Sequence, residues 1–142
     1  MFKRILLAYE GSPQTDAALS QAAELALLCK AELHLLGVCA ATGTAALLQM
    51  DAPPELFAVE REQVQEALTS AANDLAKRGL SVNTFIREGI PAIEIAAHAN
   101  EINADLAILG HTTKGFIARW LVGSTGADLI HHLPCSLLIS AD

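Results

Sequence analysis

Ile5-Leu6-Leu7-Ala8-Tyr9-Glu10-Gly11-Ser12-Pro13 is an apolar run that stops at an acidic turn. Ile5 to Ala8 show no alternation, which suits a strand covered on both faces, as in a parallel sheet. Ser12 is placed to cap a helix and Pro13 to occupy its first position, so a helix starts where the strand stops. Strand, short turn and helix in immediate succession predict the first half of a strand–helix–strand unit.

The rest of the chain repeats that theme. Ala18, Ala22, Leu25 and Cys29 share one face at helical spacing, and Leu33 to Val38 reads as a second buried strand. Ala40 to Pro54 is irregular, either a loop beside a site or a long connection. A helix over about Glu55 to Arg78 follows, with Val64, Leu68, Ala71 and Leu75 in phase and Gly79 as its C-terminal cap. Val82 to Ile86 alternates, so this third strand is half exposed and belongs at an edge. A helix over Pro91 to Ile102, a fully apolar strand Leu106 to Leu109, a Gly/Thr-containing segment Gly110 to Gly123 and a helix from Ser124 to His132 come next. Pro134 ends that helix, and Ser136 to Ile139 is a fifth strand. The alternation predicts an α/β fold, doubly wound, with a parallel sheet and helices on both faces. Placing the alternating strand at one edge and the most apolar strands in the centre gives the order 3-2-1-4-5.

Composition narrows the function classes. At about 100–200 residues per domain, 142 residues predict one domain over 1–142. A hydrophobic content of 52% excludes intrinsic disorder. A net charge of −7 with nine scattered Lys and Arg argues against a nucleic-acid polymer, which is held by clustered cations. No apolar run reaches the ~18 residues of a membrane span, and Lys3-Arg4 followed by Glu10 reads as a strand rather than a leader. Cys29, Cys39 and Cys135 are an odd, widely spaced set, which fits thiols in a reducing cytoplasm. The charged content of 18% is low for a lone domain and suggests some apolar surface at a subunit contact.

In an open parallel sheet a ligand sits beyond the carboxyl ends of the strands where the strand order reverses. For order 3-2-1-4-5 that point lies between the first and fourth strands. The loops there are Tyr9-Glu10-Gly11-Ser12 and Gly110-His111-Thr112-Thr113-Lys114-Gly115. Helix N-termini at Ser12 and at Ser124-Thr125 point the same way and favour an anion. Gly110 and Gly115 have P-loop spacing, but Phe116-Ile117 replaces the Lys-Ser/Thr pair, so a P-loop NTPase is rejected. A dinucleotide fingerprint is missing after the first strand, and a phosphate-receiver site lacks its acidic pair. His131 and His132 are adjacent and point about 100° apart on a helix, so they do not share an ion. Ser12 has no nucleophile-elbow context, and no nucleophile–base pair is evident. No metal-binding or catalytic residue is assigned.

Gly110-x2-Thr113-x9-Gly123-Ser124 resembles the nucleotide-binding motif of the universal stress protein family, G-x2-G-x9-G-Ser/Thr. The resemblance spans nearly the whole chain. It includes the acidic turn after Ile5-Leu6-Leu7-Ala8, the strand Leu33-His34-Leu35-Leu36-Gly37-Val38, Gly89-Ile90-Pro91, Ala104-Asp105 and Pro134-Cys135-Ser136. It implies a cytoplasmic stress-response protein that binds ATP, with or without Mg, or a related adenine nucleotide as a regulatory ligand, with little or no hydrolysis. Ala8, Tyr9 and Glu10 would lie beside the ribose and adenine, and Val38 against adenine. Gly110 and Thr113 would line the ribose and phosphates, and Gly123-Ser124-Thr125 would hold phosphates. His111 lies in the same loop, able to stack on or bond the ligand. Lys114 and Arg119 read either as phosphate counter-charges or as ordinary surface residues, with Gly115 as a displaced flexible point.

Two departures from the family pattern matter. Glu10 stands where the family has Asp, and Thr113 replaces the second glycine. Where that position takes φ > 0, Thr costs about 1–2 kcal/mol, and a loss of about 1.4 kcal/mol is tenfold in affinity. The alternative reading is therefore a dimeric interaction protein on the same fold that has lost nucleotide binding. The resemblance also implies a homodimer through the C-terminal edge strand Ser136-Ser140.

Overall fold

A computed structural model describes residues 1–9, 13–39, 54–110 and 132–140. In chain order the elements are β1 (Arg4–Ala8), α1 (Pro13–Cys29), β2 (Glu32–Cys39), α2 (Pro54–Lys77), β3 (Val82–Glu88), α3 (Pro91–Ile102), β4 (Leu106–Gly110) and β5 (Ser136–Ser140). The strands form one sheet of order β3-β2-β1-β4-β5, and every pairing is parallel. Both the alternation and the strand order expected from the sequence are therefore present. The helix expected over Ser124 to His132 and the irregular stretch after Ala40 lie outside the described residues, except for Ala40's far neighbour Pro54 and for His132 itself.

Two apolar layers sandwich the sheet. Ile5 and Leu7 of β1, Leu33 and Leu35 of β2 and Ile108 of β4 face α1 and α2, where Ala18, Ala22, Ala26, Val64, Leu68 and Leu75 meet them. Leu6, Ala8, Leu36 and Leu109 face the other way, onto Ala92, Ile95, Ala96 and Ala99 of α3. Right-handed crossovers explain the division. The steps from β1 to β2 to β3 run one way across the sheet, and the step from β3 back to β4 runs the other way. Burial on both faces is why β1 and β4 read as apolar runs, and β2 as one interrupted by His34.

α1 presents alanines to the sheet, and short side chains let the helix lie close against it. Gly37 does the same for α2 from the sheet side. A Cβ there would sit 2.4 Å from Val64 Cγ1 and 3.2 Å from Leu68 Cδ1.

The helices α1, α2 and α3 end alike. Ala31, Leu80 and Ala104 donate their N–H to Ala26, Leu75 and Ala99, with Lys30, Gly79 and Asn103 in the left-handed conformation just before them. This is the Schellman pattern, with its apolar contact made by buried residues in each case. It turns each chain straight from helix into strand. Asp105 fastens the far end of the sheet: its carboxylate accepts from Lys3 N at 2.7 Å and Arg4 N at 3.2 Å.

Candidate functional site at the carboxyl edge

The strand order reverses between β1 and β4, and the carboxyl ends of β1, β2 and β4 meet there. Ala8 ends β1 with its side chain in the α3 layer, and half-buried Val38 packs against that same layer. Tyr9 follows Ala8 but turns to the opposite face, among the residues beneath α1 and α2. Its N–H donates to Leu36 O at 2.9 Å, and its hydroxyl donates to Asp16 Oδ1 at 2.9 Å. What Tyr9 offers the edge is therefore main chain, since its ring is only 8% exposed. Burial first, then the hydrogen bond and charge of Asp16, push its phenol up to about 12. Gly110 ends β4 buried and stands opposite Ser140 of β5.

Ala8, Tyr9, Val38 and Gly110 thus lie at one edge of the sheet. Glu10, His111, Thr113, Lys114, Gly115, Arg119, Gly123, Ser124 and Thr125 lie outside the described residues. The described floor is apolar and small-residued, which suits a flat ring lying against backbone. A different cleft, lined by Phe2, Lys3, Arg4, Cys29, Lys30 and Glu32, opens at the opposite end of the sheet. It is far from the topological switch between β1 and β4.

Several polar residues near this edge carry no sequence signal. Ser140 is 3% exposed, and its hydroxyl has no hydrogen-bond partner among the described residues. Arg87, on β3, is the register partner of Val38 and turns toward α3. Its Nε donates to Glu94 at 2.6 Å and its Nη1 to Glu101 at 2.9 Å, and the bond to Glu94 keeps the guanidinium ionised. Only the three-dimensional return of α3 over β3 brings these groups together. No group of three or more metal-binding side chains occurs among the described residues. No disulfide joins Cys29, Cys39 or Cys135. No helix among the described residues is long and apolar enough to cross a membrane.

An open parallel sheet flanked by helices, with its strand order reversing between β1 and β4, defines a doubly wound α/β fold. Residues 1–140 match the model of the universal stress protein family, and the chain belongs to that family. It is 31% identical over 146 residues to universal stress protein YxiE of Bacillus subtilis, covering 98% of this chain and 99% of that protein. Universal stress protein UspA from Lactobacillus plantarum superposes with a TM-score of 0.75 at 26% identity, covering 96% of each chain. A universal stress protein from Archaeoglobus fulgidus in complex with dAMP shares the fold, with a TM-score of 0.68 at 20% identity and 96% of each chain covered.

Proposed function

We propose that this chain is a cytoplasmic stress-response protein that binds ATP or a related adenine nucleotide as a regulatory ligand, with little or no hydrolysis. The observation that carries the reading is the reversal of strand order between β1 and β4, with Ala8, Val38 and Gly110 brought to that edge. Adenine would lie on the apolar floor at Ala8 and Val38, beside the main chain of Tyr9. Glu10 would accept from a ribose hydroxyl, and Gly110 with Thr113 would line ribose and phosphates. Gly123-Ser124-Thr125 would hold phosphates by N–H and hydroxyl groups, with Lys114 and Arg119 as counter-charges, His111 against the ligand and Gly115 as a flexible point. The dAMP complex of the Archaeoglobus relative supports an adenine nucleotide as the ligand class. No residue is assigned as base or nucleophile, so the ligand is read as a signal rather than a substrate.

Homodimerisation through β5 belongs to the same proposal. Among the described residues β5 pairs with β4 alone and leaves Ile139 39% exposed, and exposed apolar edges are normally covered. Thr113 specifically favours a second reading, an interaction protein of the same dimeric form without nucleotide.

Two measurements separate these readings. Mass spectrometry of the supernatant from heat-denatured, freshly purified protein should find adenine nucleotide. Calorimetric titration with Mg-ATP should show one site per chain, tightened about tenfold by Thr113→Gly, the equivalent of about 1.4 kcal/mol. No released nucleotide together with no heat at millimolar ATP would overturn the leading reading.

A further inference from the structure

Beneath α3 the sheet buries two imidazoles. His98 of α3 is 2% exposed and His34 of β2 is 7% exposed. His98 Nδ1 lies 3.5 Å from Arg87 Nη1. A guanidinium can only donate, so Nδ1 accepts and the neutral ring carries its proton on Nε2. That Nε2 has no partner among the described residues. His34 Nε2 lies 3.4 Å from Glu32 Oε2, a group that accepts. Nε2 of His34 therefore donates there, and its buried Nδ1 has no partner among the described residues. The surroundings of His98 are therefore matched to a neutral ring.

A proton added to His98 must enter at Nδ1, which faces the Arg87 guanidinium. The compensating carboxylate is Glu101, 3.8 Å away and 61% exposed, and it already holds Arg87 at 2.9 Å. The groups around His98 are Arg87 and the Phe85 ring from β3, His34 backed by Glu32 from β2, and Glu101 with Glu94 from α3 itself. The Phe85 ring centroid is 4.7 Å away. Burial first, and the Arg87 charge second, pull the His98 pKa below its ordinary 6.5.

We propose that His98 forms an acid-sensitive latch: with its ring neutral α3 is held on β2 and β3 through Arg87, and protonation of His98 loosens α3. Release would uncover Ala92, Ile95, Ala96 and Ala99, the layer on which Ala8 and Val38 rest. The latch does not depend on nucleotide binding. Its sign follows from proton counting. Below pH 6.5 the loosened chain takes up a proton that the closed form refuses, so the closed form loses ground as pH falls through 6.5, until its own lower pKa is reached.

Hydrogen exchange of the full chain between pH 7.5 and 5.5, corrected for intrinsic exchange, tests this. Protection of the α3 amides Ala96 to Ile102 should fall about five- to tenfold over that range, while β1 and β4 keep theirs. His98→Gln, which retains a donor but cannot titrate, should abolish the fall. Proton NMR of the wild-type rings gives a readout that does not depend on the variant folding: His98 should titrate below 6.5. Unchanged α3 protection, a His98 midpoint at or above 6.5, or a folded His98→Gln variant with the full pH response would each overturn the latch.

Discussion

Tyr9 is the one tyrosine of the chain, so its ionisation can be followed by ultraviolet absorbance without overlap. The folded protein should titrate with a midpoint of about 12, returning to about 10 in denaturant. Because the folded chain holds the proton longer, this contribution to stability is complete below pH 10 and is lost as pH rises toward 12. A folded-state midpoint of 10 would mean that the ring is not buried against Asp16. Removing the hydroxyl by Tyr9→Phe should cost about 1 kcal/mol in chemical denaturation, the worth of one hydrogen bond. Tyr9 was legible in sequence as an edge residue, but its direction was not. Nothing in the spacing from Tyr9 to Asp16 says that the ring turns beneath α1. His34 and His98 lack partners at metal-ligand spacing in sequence, and their shared burial appears only when α3 crosses back over the sheet.

The elements were readable where their signals are local. Apolar runs marked β1, β2 and β4, alternation marked β3 as an edge, and Gly79 marked the end of α2. β3 was expected to stop at Ile86 but continues to Glu88. Arg87 and Glu88 are charged, yet both are satisfied in a strand, Arg87 by Glu94 and Glu88 by Arg61. Lys30 carries no sequence signal for a left-handed cap, although its φ is 57°. A non-glycine residue there costs about 1–2 kcal/mol, and glycine returns part of that through unfolded-chain entropy, about 0.4–1 kcal/mol. Lys30→Gly should therefore stabilise the protein by up to about 1 kcal/mol in its urea midpoint. Gly37→Ala should do the reverse, by about 1–3 kcal/mol, because Val64 is a stiff β-branched neighbour. No destabilisation would mean that α2 packs more loosely on β2 than the 2.4 Å approach requires.

At the scale of the whole molecule, a high apolar content finds two uses. Three central strands are covered on both faces, and β5 leaves a partly apolar edge beside β4. If that edge is a subunit contact, sedimentation should give a dimer, and Ile139→Asp should give a folded monomer. A monomeric wild type would remove the dimer from the account. The net charge of −7 argues against a nucleic-acid polymer without bearing on a single nucleotide, which needs only local donors and counter-charges. Fold and edge were legible because topology fixes where strand ends meet. The phosphate half of the site rests on Gly110 to Thr125 and on the family resemblance. Amide chemical-shift mapping with Mg-ATP tests the central claim most directly. Ala8, Tyr9, Val38 and Gly110 should move while Lys3, Arg4, Glu32 and Asp105 at the opposite end stay still. Shifts confined to that opposite end, or none at millimolar ATP, would contradict a nucleotide site at the reversal of the sheet.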